Sequence, residues 1–159
     1  LTFRRTGPSL ETSSWSRLLH LLKRIDMQLI SQRLCMEKDL GIHGNLFGGI
    51  MLSWLDEAAA TMAYEVCHSP NMVTLKIDEV IFKRPVKIGF HLKIYGQVIR
   101  MGSSSLTLEV EARKHNVYSG EETVVCTTNF TFVRIDEQGD AIPISERVKE
   151  RYSHLAHGK

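Results

Sequence analysis

The feature that most constrains this chain is a single long apolar helical segment, followed by several segments in which apolar and polar residues alternate. Residues 47–67 predict the helix, and from residue 50 to residue 66 apolar and small side chains nearly circle its axis. We therefore expect the helix to be buried on most sides. One helix of this kind needs a curved sheet that wraps around it, which predicts an α+β fold.

Segments on both sides of the helix predict the strands of such a sheet. Residues 27–36 predict a first strand, and residues 37–45 predict a loop that is interrupted by glycines. After the helix the period changes to two residues, which predicts four long antiparallel strands that follow one another as a meander. A change of phase near residues 78–79 predicts a bulge or kink there.

A chain of 159 residues is long enough for one domain with a substantial core. We expect residues 27–159 to form that domain, with a polar helix over residues 145–155, and residues 1–26 to be an extension outside the core. The extension is rich in Arg and Ser and has leucines at helical spacing. It fits either a targeting or membrane-surface segment or a short amphipathic helix packed on a neighbour. We favour the second interpretation, with Met27 as the natural start.

Composition excludes several classes of function. The formal net charge of +2 gives no support for a nucleic-acid partner, and no apolar stretch approaches the roughly 20 residues of a membrane-spanning helix. We therefore expect neither nucleic acid nor a membrane as a partner. The three cysteines, Cys35, Cys67 and Cys126, are far apart and show no metal-ligand spacing. This pattern predicts reduced structural thiols, no metal site and a cytoplasmic protein.

Three stretches of the sequence resemble one known family. "GNLFGGIMLSWLDEAAA" (44–60) is similar to the family's helix entry, in which a small-residue loop and an aromatic residue precede Gly-Gly, and an aspartate follows. "VTLKIDEVIFKRPVKIG" (73–89) resembles the next strand, and "FTFVRIDEQGDAIPI" (130–144) resembles the last strand and its exit. The family is the hotdog-fold acyl-CoA thioesterases, of the short bacterial type that assembles as trimers of dimers. The resemblance covers about residues 27–150.

The resemblance implies a hotdog fold, in which a curved antiparallel sheet wraps a central helix. It implies hydrolysis of acyl-CoA thioesters to CoA and a free carboxylic acid, without a metal or a cofactor. It also implies a homo-oligomer that is at least a dimer, with a trimer of dimers expected.

The glycines at the helix entry suit the chemistry of thioester hydrolysis. Gly48 and Gly49 lie where the N–H groups of a helix start have no internal partner. Those donors and the positive end of the helix dipole suit a developing oxyanion, and the missing Cβ atoms allow close approach. Asp56 lies on the same helix face, about 10 Å further along the axis. In the resembling family the two parts come from opposite subunits, which predicts an obligate dimer.

Asp56 is the predicted catalytic carboxylate. It either acts as general base on a water molecule or attacks the thioester itself to form an anhydride, and both roles fit the sequence. The alternative is a carboxylate that caps or pairs across a dimer interface. We expect its neighbour Glu57 to be solvent-facing or an interface charge.

The loop before the helix departs from the family pattern. Relatives often carry an Asp–x–Asn loop; here Asp39 matches the aspartate, but Gly41 stands where the family has asparagine. His43 and Asn45 are the nearby candidates to orient water or polarise the carbonyl. For His43, the alternative is an ordinary loop histidine at an interface. We expect the glycine at position 41 to affect the rate and the substrate range more than the class of reaction.

Basic and hydroxyl residues in two turns are candidates for binding the phosphates of coenzyme A. They are Lys83, Arg84 and Lys87 in one turn, and Arg100, Ser103, Ser104 and Ser105 in the next. The alternative for each is an ordinary solvated turn residue. The apolar residues Met51, Leu52 and Leu55 either line an acyl tunnel or belong to the core.

Three other interpretations fit parts of the sequence. A hotdog enoyl-CoA hydratase or dehydratase needs a positioned histidine and a carboxylate. His43 and Asp56 would have to take these two roles. A non-enzymatic acyl-CoA-binding sensor needs a DNA-reading element, for which the basic residues 15–25 are the one candidate. The third is a structural subunit whose own site has decayed, which the glycine at position 41 allows.

Overall fold

Alternating apolar residues on the strands and an apolar stripe on the helix give two surfaces that cover each other. The computed structural model describes residues 14–19, 22 and 26–155. In chain order its elements are β1 (Gln28–Leu34), a 3-10 helix (Glu37–Asp39), α1 (Gly48–Cys67), β2 (Met72–Ile77), β3 (Ile81–Phe82), β4 (His91–Met101), β5 (Ser105–His115), β6 (Glu122–Arg134), α2 (Glu146–Arg151) and a second 3-10 helix (Ser153–Leu155). Residues 14–19 and 22 are helical, and the rest of the predicted N-terminal extension up to residue 25 lies outside the described residues.

The strands form one antiparallel sheet in the order β1-β4-β5-β6-β2, and the short strand β3 also pairs with β6. Strands β4, β5 and β6 are a meander, as predicted, but β2 pairs with β6 rather than with β4, so the prediction of four consecutive meander strands is wrong. The reason is that α1 crosses the sheet between β1 and β2, which therefore occupy opposite edges. The predicted break near residues 78–79 is present: pairing with β6 stops after Ile77 and resumes at Ile81.

Every second residue of the long strands faces α1. The fully buried strand residues include Leu92, Ile94, Leu106, Leu108, Val110, Ala112, Cys126, Phe130 and Phe132. They pack with the buried helix residues Met51, Leu55, Ala58, Ala59, Met62, Ala63 and Cys67. Because α1 contacts β1, β2, β4, β5 and β6, the sheet wraps the helix as the sequence predicted.

One face of α1 is exposed in the single chain, and its other sides are buried or half-buried, so the expectation of burial on most sides is confirmed. The exposed residues of the helix are Gly49, Ser53, Glu57, Thr61, Tyr64 and Glu65. Glu57 forms an ion pair with Arg33 of β1, so it is a surface charge here. Small residues such as Ala60, which is half-buried, fit exposed and buried positions alike. The sequence pattern therefore did not show which face of the helix is exposed.

The end of α1 and the start of α2 lie at the helix boundaries that the sequence predicts. α1 ends where His68 takes the left-handed conformation, with φ 49°, two residues before Pro70. α2 follows Ser145, which occupies the N-cap position although its hydroxyl makes no capping hydrogen bond. Among the described residues, no helix is long and apolar enough to span a membrane.

Candidate active site

The start of α1 presents three backbone donors, two of which belong to glycines. The Phe47 N–H donates to the Asp39 carbonyl at 2.9 Å, and the Met51 N–H donates to the Phe47 carbonyl at 3.1 Å. Between them, the N–H groups of Gly48, Gly49 and Ile50 donate to no other residue in the described part of the chain. The first turn carries no acidic side chain, and Phe47 provides no side-chain cap. The helix end is therefore suited to an external oxyanion.

Two aromatic rings border these glycines. A Cβ atom at Gly48 would lie 3.3 Å from Cζ of Phe82, and a Cβ atom at Gly49 would lie 2.9 Å from Cε1 of Phe47. The absence of side chains at both positions therefore lets the rings pack against the helix backbone. Phe47 is 58% exposed and Phe82 is 52% exposed, so about half of each residue remains open to a ligand or a second subunit.

The Asp56 carboxylate is held by a residue that sequence reasoning missed. The Thr74 hydroxyl donates to Oδ1 of Asp56 at 2.9 Å, which joins the middle of α1 to β2. In the sequence, Thr74 is one polar residue of a predicted strand. Its spacing from the helix gives no indication of a contact with Asp56. The contact arises because α1 packs against β2, the edge strand next to β6. Asp56 is half-buried, so its carboxylate is accessible.

Asp56 and the glycine donors lie apart in the single chain. α1 is continuous from Gly48 to Cys67, so Asp56 is about 10 Å beyond Gly49 along the helix axis. One small carbonyl group cannot contact both the donors and the carboxylate of the same chain at this separation.

A cleft of about 700 Å³ opens beside the helix start. Its lining residues are Leu40, Gly41, Ile42, His43, Asn45, Leu46, Phe47 and Gly48. The loop is closed by hydrogen bonds from the Gly41 N–H to the Asn45 carbonyl at 2.8 Å and from the Gly44 N–H to the Gly41 carbonyl at 3.0 Å. The structure therefore brings the predicted residues His43, Asn45 and Gly48 to one place.

The buried side chain of Asp39 stabilises the N-terminal end of this loop through hydrogen bonds. Its Oδ2 accepts a hydrogen bond from the Met36 N–H at 2.9 Å, and its Oδ1 accepts one from Lys38 Nζ at 2.7 Å. The hydrogen bond from Lys38 and the hydrogen bond from the Met36 backbone lower the pKa of the Asp39 carboxyl from its ordinary value. The side chain thus fixes the turn whose carbonyl receives the Phe47 N–H.

The two other polar candidates of the loop have different surroundings. Asn45 is half-buried, and its Oδ1 accepts a hydrogen bond from Lys87 Nζ at 3.2 Å. His43 is exposed, and no hydrogen bond or ion pair links it to Asp56 in the described residues. Within the described residues, His43 and Asp56 therefore do not form the histidine–carboxylate pair that a hydratase requires.

The predicted CoA-binding residues divide into two groups at opposite ends of the sheet. Lys83 follows Phe82, which pairs with Cys126, whereas Ser105 pairs with Val133. Val133 lies seven positions beyond Cys126 in β6, a distance of about 23 Å along the strand. Arg84 and Lys87 therefore lie near the helix start, and Arg100, Ser103 and Ser104 lie near the helix end. A single chain cannot place both groups around one phosphate.

The apolar residues proposed for an acyl tunnel belong mainly to the core. Met51 is 4% exposed and Leu55 is 0% exposed, and both pack in the layer between α1 and the sheet. Leu52 is partly buried against the same layer. These contacts favour the interpretation of plain core residues for Met51 and Leu55.

The three cysteines are unpaired and buried. Burial raises the pKa of the Cys67 thiol to about 11 and that of Cys126 to about 11, and it also raises the pKa of Cys35. Protonated, inaccessible thiols are poor nucleophiles, so their role is structural. Within the described ranges, no three His, Cys, Asp or Glu side chains are grouped so that they could hold a metal ion.

Sequence comparisons connect this geometry with a known family. The family model of the thioesterase superfamily matches residues 43–121. An uncharacterized acyl-CoA thioester hydrolase of Haemophilus influenzae is 33% identical over 114 residues, which cover 70% of this chain and 73% of the relative.

Solved structures share the fold. Cj0915, a hexameric hotdog-fold thioesterase of Campylobacter jejuni, matches with a TM-score of 0.69 and 35% identity, over 79% of this chain and 96% of that chain. HI0827, a hexameric broad-specificity acyl-coenzyme A thioesterase solved as an aspartate-to-alanine mutant, matches with a TM-score of 0.73 and 28% identity, over 80% of this chain and 96% of that one. The hotdog fold expected from the sequence is thereby confirmed.

Proposed function

The chain belongs to the acyl-CoA thioester hydrolases of the thioesterase superfamily, and on this premise we propose that it hydrolyses acyl-CoA thioesters to CoA and a free carboxylic acid. The observation that carries the proposal is the start of α1, where Gly48 and Gly49 present free N–H donors beside an open cleft. In this proposal the thioester carbonyl oxygen accepts hydrogen bonds from these donors. They stabilise the oxyanion of the tetrahedral intermediate without reorganising during the reaction.

Asp56 is the proposed general base. The Thr74 hydrogen bond holds Oδ1, which leaves Oδ2 to accept a proton from a water molecule. The water oxygen bonds to the carbonyl carbon, and its proton passes to Asp56. The intermediate then collapses, the carbon–sulfur bond breaks, and the departing thiolate takes the proton back from the Asp56 carboxyl. The products are a carboxylic acid and the CoA thiol.

The proposed site is completed by a second copy of the chain. About 10 Å of helix separates Asp56 from Gly49 in one chain, so we propose that Asp56 of one subunit faces the donors of the other. The uncovered sheet edge supports this arrangement, because an exposed apolar edge strand favours pairing with another chain. Its apolar residues are Val73, Leu75, Ile81 and Phe82, which are 39%, 65%, 44% and 52% exposed. We propose a homo-oligomer of such dimers, assembled as a trimer of dimers.

A second copy of the chain would also bring the two groups of predicted CoA-binding residues closer together. If the two copies of α1 run antiparallel, the helix end of one subunit approaches the helix start of the other. Arg100 and Ser103 of one chain then lie closer to Lys83 and Arg84 of its partner than to those of their own chain. We therefore propose that CoA is bound by basic and hydroxyl residues of both subunits.

The proposed function is tested by following thiol release with DTNB from acetyl-, butyryl-, hexanoyl- and palmitoyl-CoA. We expect turnover by the wild type and a fall of about 10² or more in Asp56→Ala, the size expected for a lost general base. Glu57→Ala, which removes a neighbouring surface carboxylate, is the matched control and should retain activity. The buried cysteines will add little background to this assay.

Two outcomes would contradict the proposal. The first is an absence of thiol release by the wild type with every substrate, which would favour a binding protein. The second is loss of the enoyl absorbance of crotonyl-CoA without thiol release, which would indicate a hydratase. Turnover that survives Asp56→Ala would retain the thioesterase but overturn the role of Asp56.

A further inference from the structure

The N-terminal segment carries an apolar stripe that the rest of the chain leaves largely uncovered. Its helical residues place four apolar side chains at the spacing of one helix face. They are Trp15, Leu18, Leu19 and Leu22, which are 66%, 45%, 62% and 49% exposed. We call these four residues the N-terminal stripe. A contiguous exposed apolar face of this kind is typical of an interaction surface.

Charge is distributed unevenly between this segment and the rest of the chain. Residues 1–25 contain five basic residues and one acidic residue, whereas the remaining residues contain 15 basic and 17 acidic residues. The small net charge of the whole chain therefore conceals a basic segment that is attached to a slightly acidic domain. Arg17 is exposed between Trp15 and Leu18, and Lys23 and Arg24 follow Leu22 in the sequence.

We propose that the N-terminal stripe docks on an anionic lipid surface. Apolar residues on one helix face, combined with basic residues, are typical of helices that lie in the headgroup region. The leucines enter the apolar boundary, the ring of Trp15 suits the interface because it has an apolar body and a polar N–H, and the basic residues are attracted to anionic headgroups.

This mode of binding agrees with the membrane-surface alternative for the N-terminal extension. A helix of this kind lies on the membrane and does not span it. The expectation of no membrane partner rests on the lack of a spanning stretch, so it does not apply to such a helix.

A neighbouring copy of the chain is the alternative partner for the N-terminal stripe. Attraction to the slightly acidic domain of a neighbour would use Arg17 and would leave the four apolar side chains in water. The exposed apolar residues of β2 and β3 are covered by the second copy in the proposed dimer, so they do not cover the stripe as well. An anionic lipid surface accounts for the apolar and the basic residues together.

The N-terminal stripe lies outside the part of the chain that matches the family model, which covers residues 43–121. The inference therefore goes beyond the proposed function and does not depend on it. Lipid binding is measured without any substrate, so its failure and the failure of thioester hydrolysis are separate results.

The test is flotation of the full chain with vesicles of phosphatidylcholine alone or of phosphatidylcholine with phosphatidylglycerol. We expect the wild type to float with the anionic vesicles only, and high salt to weaken this binding. The double variant Leu18→Gln/Leu19→Gln should bind anionic vesicles about tenfold more weakly or worse, because two apolar side chains no longer enter the lipid. Leu34→Gln changes a leucine of β1 that is 45% exposed; this matched control should bind as the wild type does.

Tryptophan fluorescence reports whether the N-terminal stripe itself enters the lipid. The chain has two tryptophans, so Trp54→Phe leaves Trp15 as the single emitter. Its emission should shift to shorter wavelength with anionic vesicles and stay unchanged with neutral vesicles. Light scattering should show the same oligomer for the wild type and the double variant, and their rates of thiol release should be equal.

Three results would overturn the proposal. The first is a wild type that does not float, or that floats equally with neutral and anionic vesicles. The second is a double variant that floats as the wild type does. The third is a smaller oligomer in the double variant, which would show that a second copy of the chain covers the N-terminal stripe.

Discussion

The Thr74 hydroxyl lies 2.9 Å from Oδ1 of Asp56 and donates a hydrogen bond to it. This bond ties a carboxylate in the middle of α1 to the edge strand β2, next to the uncovered apolar surface of the sheet. A charge-assisted bond of this kind restricts the rotation of the carboxylate and directs its second oxygen. The position of the proposed catalytic base therefore depends on a strand residue as well as on the helix.

Replacement of Thr74 by valine tests this dependence. Thr74→Val keeps the shape of the side chain but removes the donor, so we expect kcat to fall by about tenfold or more, with a smaller effect on KM. Thr131→Val is the matched control, because among the described residues the Thr131 hydroxyl bonds only the Thr107 hydroxyl, at 3.1 Å. Steady-state kinetics of both variants, with thermal unfolding as a check on folding, make the comparison. Equal activities of the two variants would argue against a positioning role for Thr74.

Mixed oligomers test whether the site is shared between subunits. Asp56→Ala removes the proposed base, and Gly49→Val places a branched side chain at the oxyanion donors, where a Cβ atom already comes within 2.9 Å of Phe47. We expect each variant alone to be nearly inactive. Co-expressed and purified through two different tags, the pair should regain part of the activity, because some sites then combine an intact Asp56 with an intact Gly49. Mixed oligomers as inactive as the parents would show that each site lies within one chain.

Restoration of an amide at position 41 should increase activity. Gly41 does not adopt a positive φ, and its nearest non-bonded contact for a Cβ atom is 3.4 Å, so a side chain fits there without backbone strain. We expect Gly41→Asn to raise kcat for acetyl-CoA by about tenfold, because an added donor near the carbonyl stabilises the oxyanion. Gly41→Ala, which adds the Cβ atom alone, should leave kcat for acetyl-CoA close to that of the wild type. A fall in both variants would show that steric contact with Phe47 outweighs the gain.

Low pH should destabilise the loop that the hydrogen bonds of Asp39 stabilise. Its hydrogen bonds with Lys38 and Met36 lower the pKa of Asp39 from the ordinary value of 3.8. The ionised form is therefore favoured in the folded state, and its contribution to stability is present above pH 3.8 and is lost as the pH falls through the lower folded pKa. We expect Asp39→Asn to unfold at a lower temperature than the wild type at pH 7, with a difference that shrinks below pH 3.8.

The control for this pH dependence is Asp78→Asn. Asp78 also has a lowered pKa, through a hydrogen bond from Lys76, but this pair is exposed and is screened by solvent. The variant should therefore change the unfolding temperature less than Asp39→Asn does. A difference between Asp39→Asn and the wild type that stays constant from pH 7 to pH 2.5 would contradict the assignment.

Periodicity in the sequence predicted the local structure closely. The helix expected over residues 47–67 runs from Gly48 to Cys67, and the break expected near residues 78–79 separates β2 from β3. These features depend on neighbouring residues: glycine at the helix start, proline after its end, and a shift in the apolar phase of a strand. Such signals act over a few residues and are therefore present in the sequence itself.

Strand pairing, helix exposure and the Thr74 contact were decided by long-range packing. Alternation predicts that β2 is a strand, but not that it joins β6 at the edge opposite β1. The packing of α1 on this one sheet leaves one face of the helix exposed and brings Thr74 to Asp56 across 18 residues of sequence.

The sequence by itself determined the α+β class, the helix start with its two glycines, and the presence of a carboxylate on the same helix face. Only the tertiary structure decided that the two groups of CoA candidates lie at opposite ends of the sheet, and that Ile42 and Phe47 border an open cleft. The physical reason is that hydrogen-bonding capacity and helical or strand period are properties of short segments. Distances between segments instead depend on which apolar surfaces cover one another when the whole chain packs.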